Sequence, residues 1–308
     1  GEDRVLCFDM GGTTAKACLV EGARPVRTTE FEGARVWRFK KGSGLPLRVP
    51  VVNMIEIGAG GGSIAAVGRL GFTEVGPESA GSRPGPVCYA LGGDRPTVTD
   101  ADLVLGYLAP DRFLGGDMPL DLDAARQAIA RHVGEAARLP VTDAAWSIFE
   151  TVTESMAQAT MIHALELGKR LSDYTMIAIG GAGPGHAIAI ARRLGIRRIV
   201  CPSGAGVAAA YGFLTAPMSF EFVRSDPAPL AELPVTRVRS ALGEMEAAGR
   251  QLLIDAGVAP DEISIERRCA ARATGQGFQV EFVVPSGFAL GDGPTLRQAF
   301  ETAYRQAF

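Results

Sequence analysis

Histidine, cysteine and tryptophan are scarce in this sequence. It has 3 histidines, 5 cysteines and 2 tryptophans among 308 residues. The histidines are far apart, and the cysteines form no Cys-x-x-Cys pair, so the sequence predicts neither a zinc hydrolase site nor a thiolate metal cage. An odd and dispersed set of cysteines also argues against a disulfide framework and favours a cytoplasmic protein.

A charge excess and a long hydrophobic run are missing too. The net charge is -3, which gives no electrostatic reason to expect nucleic acid or an anionic membrane as a partner. Glycine, proline and charged residues interrupt the apolar stretches well short of a membrane span. With 47% hydrophobic and 21% charged residues, the composition is that of a globular protein.

The pattern of apolar residues predicts a mixed α/β fold. A β-hairpin is expected at 5–20, and a Gly/Pro-rich segment at about 55–118 is interpreted as a large, loop-dominated insertion. Helices and strands are then expected at 120–139, 142–168, 175–179, 185–194, 198–201 and 205–214. Prolines around 225–234 predict a linker, which divides the chain into a domain at 1–225 and a smaller α+β segment at 226–308.

The turn of the first hairpin has the composition of a phosphate-binding loop. Asp9 precedes Gly11, Gly12, Thr13 and Thr14. Two glycines let backbone N–H groups approach phosphate oxygens, and a carboxylate beside them can hold hydrated Mg²⁺. An ordinary glycine-rich hairpin turn is the alternative.

A second glycine-rich turn joins a strand to a helix. It comprises Gly180, Gly181, Ala182 and Gly183, followed by Pro184-Gly185-His186. Small residues before a helix N-terminus leave room for a ligand, although a close strand-to-helix connection explains the glycines equally well. The spacing is neither that of a P-loop nor that of a Rossmann turn.

Together, the two turns resemble the phosphate-2 and adenosine motifs of the superfamily that contains actin, heat-shock chaperones and sugar kinases. A third block narrows the resemblance. It consists of Glu56-Ile57-Gly58-Ala59-Gly60-Gly61-Gly62-Ser63, Gly76-Pro77-Glu78-Ser79-Ala80-Gly81-Ser82-Arg83-Pro84-Gly85-Pro86 and Pro96-Thr97-Val98-Thr99-Asp100-Ala101-Asp102. With this block the sequence closely resembles the hydantoinase A family, which includes N-methylhydantoinases, 5-oxoprolinases and acetone carboxylase subunits.

The resemblance implies an actin-like (ribonuclease-H-like) ATPase lobe and a use of ATP to open a cyclic amide after phosphorylation of the lactam oxygen. Hydantoin, N-methylhydantoin and 5-oxoproline are the implied substrates. Asp9 would hold Mg²⁺, residues 11–14 would cradle the phosphates, and residues 180–183 would lie beneath the nucleoside. Relatives work with a B-type subunit or domain, so a protein partner is implied as well.

Several polar residues near these motifs have two readings. Lys16 either neutralises phosphate charge or is a strand lysine that reaches solvent. Glu56 and Asp100 are candidate catalytic carboxylates, and Asp102 is a candidate metal ligand with Asp9. Alternatively, Glu56 bonds only to N–H groups of its own turn, and Asp100 and Asp102 cap a helix at 101–108.

Two further residues have open roles in the sequence. His186 either contacts the ligand or is a packed helix residue. Cys88 is either a reactive thiol or a small buried hydrophobic residue.

A phosphate-1 motif, which the first lobe of such ATPases carries, is not found before Asp9. The expectation is therefore a second lobe separated from its first lobe, with weak ATP affinity and no turnover when isolated. A ketone carboxylase subunit would share every nucleotide motif and is an alternative function. A non-catalytic ATP-binding scaffold or regulatory subunit is an alternative of another class.

Overall fold

The structure, a computed structural model, describes residues 2–33, 44–277, 279–284 and 293–307. By its internal contacts the chain divides into two compact units, Gly1–Thr215 and Ala216–Phe308. The linker predicted at 225–234 falls inside the second unit. Within the described ranges, no helix is both long enough and apolar enough to cross a membrane.

The described residues form a mixed α/β fold, as expected from the sequence. The strands are β1 (Arg4–Met10), β2 (Ala15–Glu21), β3 (Arg24–Pro25), β4 (Arg27–Gly33), β5 (Leu45–Val52), β6 (Met54–Ile57), β7 (Ser63–Val67), β8 (Thr73–Ser79), β9 (Thr175–Ile179), β10 (Arg198–Val200), β11 (Arg268–Ala271) and β12 (Val280–Val283). The helices are α1 (Val98–Val104), α2 (Leu122–Ile129), α3 (Glu135–Ala137), α4 (Val141–Glu166), α5 (Gly183–Leu194), α6 (Ala208–Thr215), α7 (Val235–Asp255) and α8 (Gly293–Ala307). Strands alternate with helices from β9 to α6.

The main sheet of the first unit has the strand order β10-β9-β1-β2-β3, and β6 also pairs with β2. β1 and β2 form the predicted antiparallel hairpin, whereas β9 runs parallel to β1 and β10 runs parallel to β9. The carboxyl ends of β1 and β9 therefore meet at one edge of the sheet. In open α/β sheets this edge is where ligands bind.

One face of this sheet forms the core. Leu6, Phe8 and Met10 alternate along β1 and are fully buried, as period-two side-chain alternation requires. They belong to one apolar cluster with residues of α4 and α5, including Met156 and Ile190. The helices thus pack one side of β1 tightly and fix the position of its carboxyl end.

The Gly/Pro-rich segment at 55–118 is less loop-like than predicted. Its first strand, β6, belongs to the main sheet, and β7 and β8 form an antiparallel hairpin. Val98 and Ala101 of α1 are fully buried in the core. The interpretation as a loop-dominated insertion was wrong on this point, because strands of 4 to 7 residues between glycines and prolines show too few alternations to be recognised by hydrophobic periodicity.

Two cysteines that are distant in sequence are neighbours in the sheet. Cys7 on β1 lies directly opposite Cys18 on β2. A hydrogen bond with Cys18 and burial together raise the pKa of the Cys7 thiol. The described part of the chain contains them as free thiols.

The second unit contains α7, the antiparallel pair β11–β12, and α8. Two helices and two strands agree with the smaller α+β segment expected at 226–308.

Candidate functional site

The turn after Asp9 lies at the carboxyl end of β1. The N–H of Gly11 donates to the carbonyl of Thr14 at 3.1 Å, and this hydrogen bond closes the turn at 11–14. Asp9 is half-buried, while Gly12 and Thr13 are exposed. The turn therefore presents backbone to solvent beside a carboxylate, as binding of a phosphate with hydrated Mg²⁺ requires.

The glycine loop at 60–62 packs directly on this turn. The N–H of Gly61 donates to the carbonyl of Gly11 at 3.0 Å, and the N–H of Gly62 donates to the carbonyl of Gly12 at 2.6 Å. In both bonds the loop donates and the turn accepts through a carbonyl. The loop therefore occupies none of the N–H groups of the turn. The third motif block thus supports the first turn from one side.

Close approach explains why glycine occupies this loop. A Cβ at Gly60 would lie 2.7 Å from the backbone nitrogen of Thr13. On the other side, both the N–H and the hydroxyl of Thr99 donate to the carbonyl of Gly61, at 2.7 Å and 2.8 Å. Thr99 is therefore a site-supporting residue that had no assigned role in the sequence motifs.

The loop at 180–183 approaches the same turn from β9. A Cβ at Gly180 would lie 2.3 Å from the carbonyl oxygen of Met10 and 2.4 Å from Oδ1 of Asp9. The φ of Gly180 is 83°, in the left-handed region that favours glycine. The N–H of Ala182 donates to the carbonyl of Met10 at 2.9 Å. The two turns proposed from the sequence as nucleotide loops are thus in direct contact.

Helix α5 begins beside this contact. Among the described residues, no side chain caps its N-terminus at Ala182. Pro184 has no N–H, and the N–H of Gly185 donates to the carbonyl of Ala182 at 3.1 Å, so the N–H of Gly183 is the donor that this turn offers to a ligand. A Cβ at Gly181 would meet no atom within 4 Å. Open space therefore lies on the outer side of the loop, where a nucleoside would have to fit.

Lys16 and Glu56 lie beside the turn on neighbouring strands. Nζ of Lys16 donates to the hydroxyl of Thr14 at 2.6 Å and lies 3.6 Å from Oε1 of Glu56. Both charged side chains are substantially exposed, at 41% and 60%. The partner of Glu56 is thus Lys16, and Lys16 places its positive charge on a hydroxyl of the candidate phosphate turn.

Asp100 has a structural role in this geometry. It is fully buried and forms a capping box with Thr97 at the start of α1. Its carboxylate also accepts from the N–H groups of Val87 and Cys88, at 3.2 Å and 2.8 Å. Both carboxylate oxygens of Asp100 thus accept from backbone N–H groups. This agrees better with a helix-capping role than with a catalytic role. Cys88 is fully buried, and burial, with the nearby charge of Asp100, raises the pKa of its thiol.

Asp102 forms a buried pair with His186. Nε2 of His186 lies 3.2 Å from Oδ2 of Asp102, and Nδ1 lies 3.4 Å from the hydroxyl of Thr153. The ring of Phe149 stacks on the imidazole at a centroid distance of 4.6 Å. His186 is fully buried, so it is a packed helix residue. Its hydrogen bond with Asp102 joins α5 to α1.

Oδ1 of Asp102 has no hydrogen-bond partner among the described residues. The same part of the chain contains no group of three or more histidine, cysteine, aspartate or glutamate side chains placed to hold a metal. Asp9 and Asp102 therefore do not form a shared cluster of that kind. The residues that the structure does assemble around Asp9 are the turn at 11–14, the loops at 60–62 and 180–183, and Lys16 with Glu56.

The sequence profile described as Hydantoinase/oxoprolinase matches residues 1–222. The chain belongs to the hydantoinase/oxoprolinase family. This confirms the resemblance inferred from the motifs. The match covers the whole main sheet and all three loops at Asp9, so the family's shared sequence includes the candidate site.

Known structures have the same mixed α/β fold. The ATP-dependent caprolactamase from Pseudomonas jessenii aligns with a TM-score of 0.74 at 30% identity, over 100% of this chain and 44% of that one. A nucleotide-free structure of acetone carboxylase aligns with a TM-score of 0.78 at 25% identity, again over 100% and 44%. A relative by sequence is 5-oxoprolinase 1 of Arabidopsis thaliana, 32% identical over 228 residues, which are 68% of this chain and 17% of that protein. The chain thus spans less than half the length of these relatives.

Proposed function

We propose that this hydantoinase/oxoprolinase family chain is the nucleotide-binding part of an ATP-dependent amidohydrolase that opens a cyclic amide. The observation that carries the proposal is the contact of Gly180 with both Met10 and Asp9. It joins two glycine loops, distant in sequence, at the carboxyl edge of the sheet. The relatives named caprolactamase and 5-oxoprolinase support a cyclic amide as the substrate class.

In this proposal the chain is an actin-like, ribonuclease-H-like lobe. The N–H groups and hydroxyls of residues 11–14 hold the β- and γ-phosphates, and the loop at 180–183 lies beneath the nucleoside. Lys16 offsets phosphate charge through its contact with Thr14. Phosphoryl transfer depends mainly on such positioning and charge neutralisation.

The residues at the turn fit a Mg²⁺ ion. Asp9 supplies a half-buried carboxylate, and Thr13 of the adjoining turn supplies a hydroxyl oxygen as a further ligand. Mg²⁺ prefers oxygen ligands, usually one or two carboxylates with several waters. A Cβ at Gly180 would collide with Oδ1 of Asp9, so the glycine lets the loop at 180–183 approach without displacing the carboxylate. Mg²⁺ held by Asp9 would supply positive charge to the phosphates.

The reaction balances as three steps and consumes two waters. The amide oxygen takes the γ-phosphoryl group as the bond between that group and ADP breaks. Water then adds to the activated carbon, and the ring C–N bond breaks with a proton going to the nitrogen, which leaves an acyl phosphate. A second water hydrolyses the acyl phosphate to a carboxylate and inorganic phosphate. The products are the open-chain acid with its freed nitrogen, ADP and phosphate. We propose that a first lobe and a B-type subunit complete the site for the two steps that use water.

An ATP-dependent ketone carboxylase subunit is the second candidate, supported by the alignment with acetone carboxylase. The two functions differ in their co-substrate, because a carboxylase needs bicarbonate and an amidohydrolase needs water.

The experiment is an assay of ADP release by a polypeptide of full family length that contains this chain, with its partner subunit. The panel is hydantoin, N-methylhydantoin, 5-oxoproline, caprolactam, and acetone with bicarbonate, with Asp9→Ala as control. ADP release that depends on a cyclic amide and is lost in Asp9→Ala supports the proposal. Release only with ketone and bicarbonate would assign the carboxylase function, and no release with any compound would favour a non-catalytic scaffold.

A further inference from the structure

Two thiols face each other on the side of the main sheet that is turned away from the core. Cys7 of β1 lies directly opposite Cys18 of β2, and both cysteines are free and half-buried. Their neighbours Leu6 and Leu19 are fully buried in the core. Because side chains alternate between the two faces of a strand, both thiols point away from the core. We refer to Cys7 and Cys18 as the thiol pair.

The geometry of antiparallel strands permits a disulfide at this position. Opposite residues have Cα atoms about 4.5 to 5.5 Å apart, and a disulfide requires a Cα separation of about 4.4 to 6.8 Å. A hydrogen bond already joins the two side chains, so the sulfur atoms are close before any backbone movement. The register of β1 and β2 therefore places the thiols within reach of a covalent bond.

Exposure and acidity make the thiol pair more reactive than the cysteine at 88. Cys88 is fully buried, and burial raises the pKa of its thiol. The hydrogen bond from Cys7 instead lowers the pKa of the Cys18 thiol. A thiolate is the nucleophile in disulfide exchange, and partial exposure gives it access to a disulfide in solution. Cys18 is therefore the first thiol to attack, and Cys7 is the second.

The thiol pair lies next to the candidate site on the same hairpin. Asp9 follows Cys7 by two residues, and Lys16 precedes Cys18 by two, so these side chains share one face of the sheet. Asp9 and Lys16 are directly opposite each other, about 7 Å along the strands from the thiol pair. A change in the spacing of β1 and β2 at the thiols therefore reaches the candidate Mg²⁺ ligand and the lysine that contacts Thr14.

A disulfide changes this spacing between the strands. The Cβ atoms of opposite residues are about 4.5 to 5.5 Å apart, whereas the Cβ atoms of a disulfide are about 3.5 to 4.5 Å apart. Bond formation therefore draws the two strands together by about 1 Å at the thiol pair. Binding sites need their groups held to within about 0.5 Å of the productive geometry. A displacement of this size is enough to disturb the phosphate turn at 11–14.

We propose that Cys7 and Cys18 are a site of reversible disulfide formation, and that this disulfide weakens nucleotide binding at the phosphate turn. The oxidant is a small-molecule disulfide of the glutathione type. The second part of the inference rests on the proposed function, because it concerns the regulation of the same site.

The exchange balances in two steps. The Cys18 thiolate attacks one sulfur of the small-molecule disulfide, which forms a mixed disulfide and releases one thiolate. The Cys7 thiol then loses its proton and attacks Sγ of Cys18, so that the Sγ–Sγ bond forms as the mixed disulfide breaks. The two protons lost by the cysteines convert the two released thiolates to thiols. The protein loses two electrons, and the small molecule gains them.

The first test is made without nucleotide. The chain with Cys201→Ser, which removes an exposed thiol, is treated with oxidised glutathione and analysed by mass spectrometry. We expect a loss of two hydrogens, a cross-linked Cys7–Cys18 peptide, and recovery of both thiols with dithiothreitol. Glutathione that remains on one cysteine, or two unreacted thiols, would overturn the proposal.

The effect on the turn is measured by NMR on the same ¹⁵N-labelled chain. Oxidation should shift the amides of Asp9, Gly11 and Lys16, and dithiothreitol should restore them. Cys7→Ser and Cys18→Ser should each abolish the shifts, because either serine prevents the cross-link. Cys269→Ser, at a half-buried cysteine on β11, is the matched control and should keep them. Shifts that persist in both variants of the thiol pair would contradict the assignment.

Titration with Mg·ADP separates this inference from the proposed function. We expect the oxidised chain to bind Mg·ADP about 10-fold more weakly than the reduced chain, which an affinity measurement resolves readily. Equal affinities would overturn the regulatory part and leave the proposed nucleotide site intact. If the disulfide forms but the reduced chain does not bind Mg·ADP, the proposed function fails and the regulatory part fails with it, while the modification site stands.

Discussion

Gly180 lies against Asp9 so closely that a Cβ on the glycine would come within 2.4 Å of the carboxylate oxygen Oδ1. The two residues belong to motifs that are far apart in the sequence and that are joined at the edge of one sheet. This single contact links the candidate Mg²⁺ ligand to the candidate nucleoside loop. It also predicts which glycine of the loop at 180–183 tolerates a side chain.

Gly180→Ala should destabilise the chain by about 2–4 kcal/mol, because a non-glycine residue is strained at this φ and its Cβ collides with backbone. Gly181→Ala is the matched control, since a Cβ there meets open space, and it should change the free energy of unfolding by about 0.5 kcal/mol or less. Urea denaturation of both variants measures the difference. Equal stability of the two would contradict the contact.

The buried pair of Asp102 and His186 should contribute to stability through its hydrogen bond. Asp102→Ala leaves the buried imidazole nitrogen Nε2 without its partner and should lower the free energy of unfolding by about 2–3 kcal/mol. Asp102→Asn keeps a polar partner of the same shape and should lose about 1 kcal/mol or less. Denaturation curves of the two variants provide the measurement. A loss in Asp102→Asn as large as that in Asp102→Ala would show that the negative charge itself is required.

Asp100 should behave as a structural residue. Asp100→Ala removes the acceptor of three backbone N–H groups and one hydroxyl, so a loss of at least about 3 kcal/mol in unfolding free energy is expected. Asp121→Ala, which removes the exposed cap of α2, should lower it by only about 1 kcal/mol. Thermal or urea unfolding compares the two. If Asp100→Ala is as stable as the parent chain, the structural role is refuted and the catalytic reading returns.

The contribution of Glu21 to stability should depend on pH. Burial raises the pKa of its carboxyl, but hydrogen bonds from Tyr174 and Lys169 outweigh burial and lower the net pKa. Because the folded pKa lies below the unfolded value of about 4.3, the stabilisation is complete above that value and is lost as the pH falls through the folded pKa.

Glu21→Gln is the variant that isolates this effect. The difference in unfolding free energy between the parent chain and Glu21→Gln should be constant at neutral pH and should shrink in acid below the unfolded pKa. Tyr174→Phe removes one of the two donors. The unfolding free energy of this variant should therefore depend less on pH in acid than that of the parent chain. A difference that stays constant into acid would contradict the lowered pKa.

The sequence predicted the elements with regular periodicity better than the interrupted ones. The hairpin of β1 and β2 and the helices α4 and α5 lie where alternation and helical spacing placed them. These elements have long or clean periodicity, which local sequence encodes. The predicted helix at 120–139 is instead broken at a π-helical turn, Ala130–Gly134, because tertiary packing decides such interruptions and local propensity does not.

The polar partners of the site could not be predicted in the same way. Asp100 and Asp102 are two residues apart in one helix, yet one binds the backbone N–H groups at Val87 and Cys88 and the other binds His186. Which partner each carboxylate meets depends on how α1 packs against α5 and against the short 3-10 helix Val87–Tyr89, and those contacts are distant in sequence. The glycine motifs were informative because close backbone approach leaves a local signature, namely a missing side chain.

The central claim is that the phosphate turn at 11–14, the supporting loop at 60–62 and the loop at 180–183 form one nucleotide-binding site around Asp9. The most direct measurement is a map of amide shifts by NMR when Mg·ADP is titrated into the ¹⁵N-labelled chain, with Asp9→Asn as control. The account predicts weak binding, with shifts at the amides of these three loops that are lost in Asp9→Asn. Shifts confined to other parts of the chain, or an unchanged response in Asp9→Asn, would contradict it.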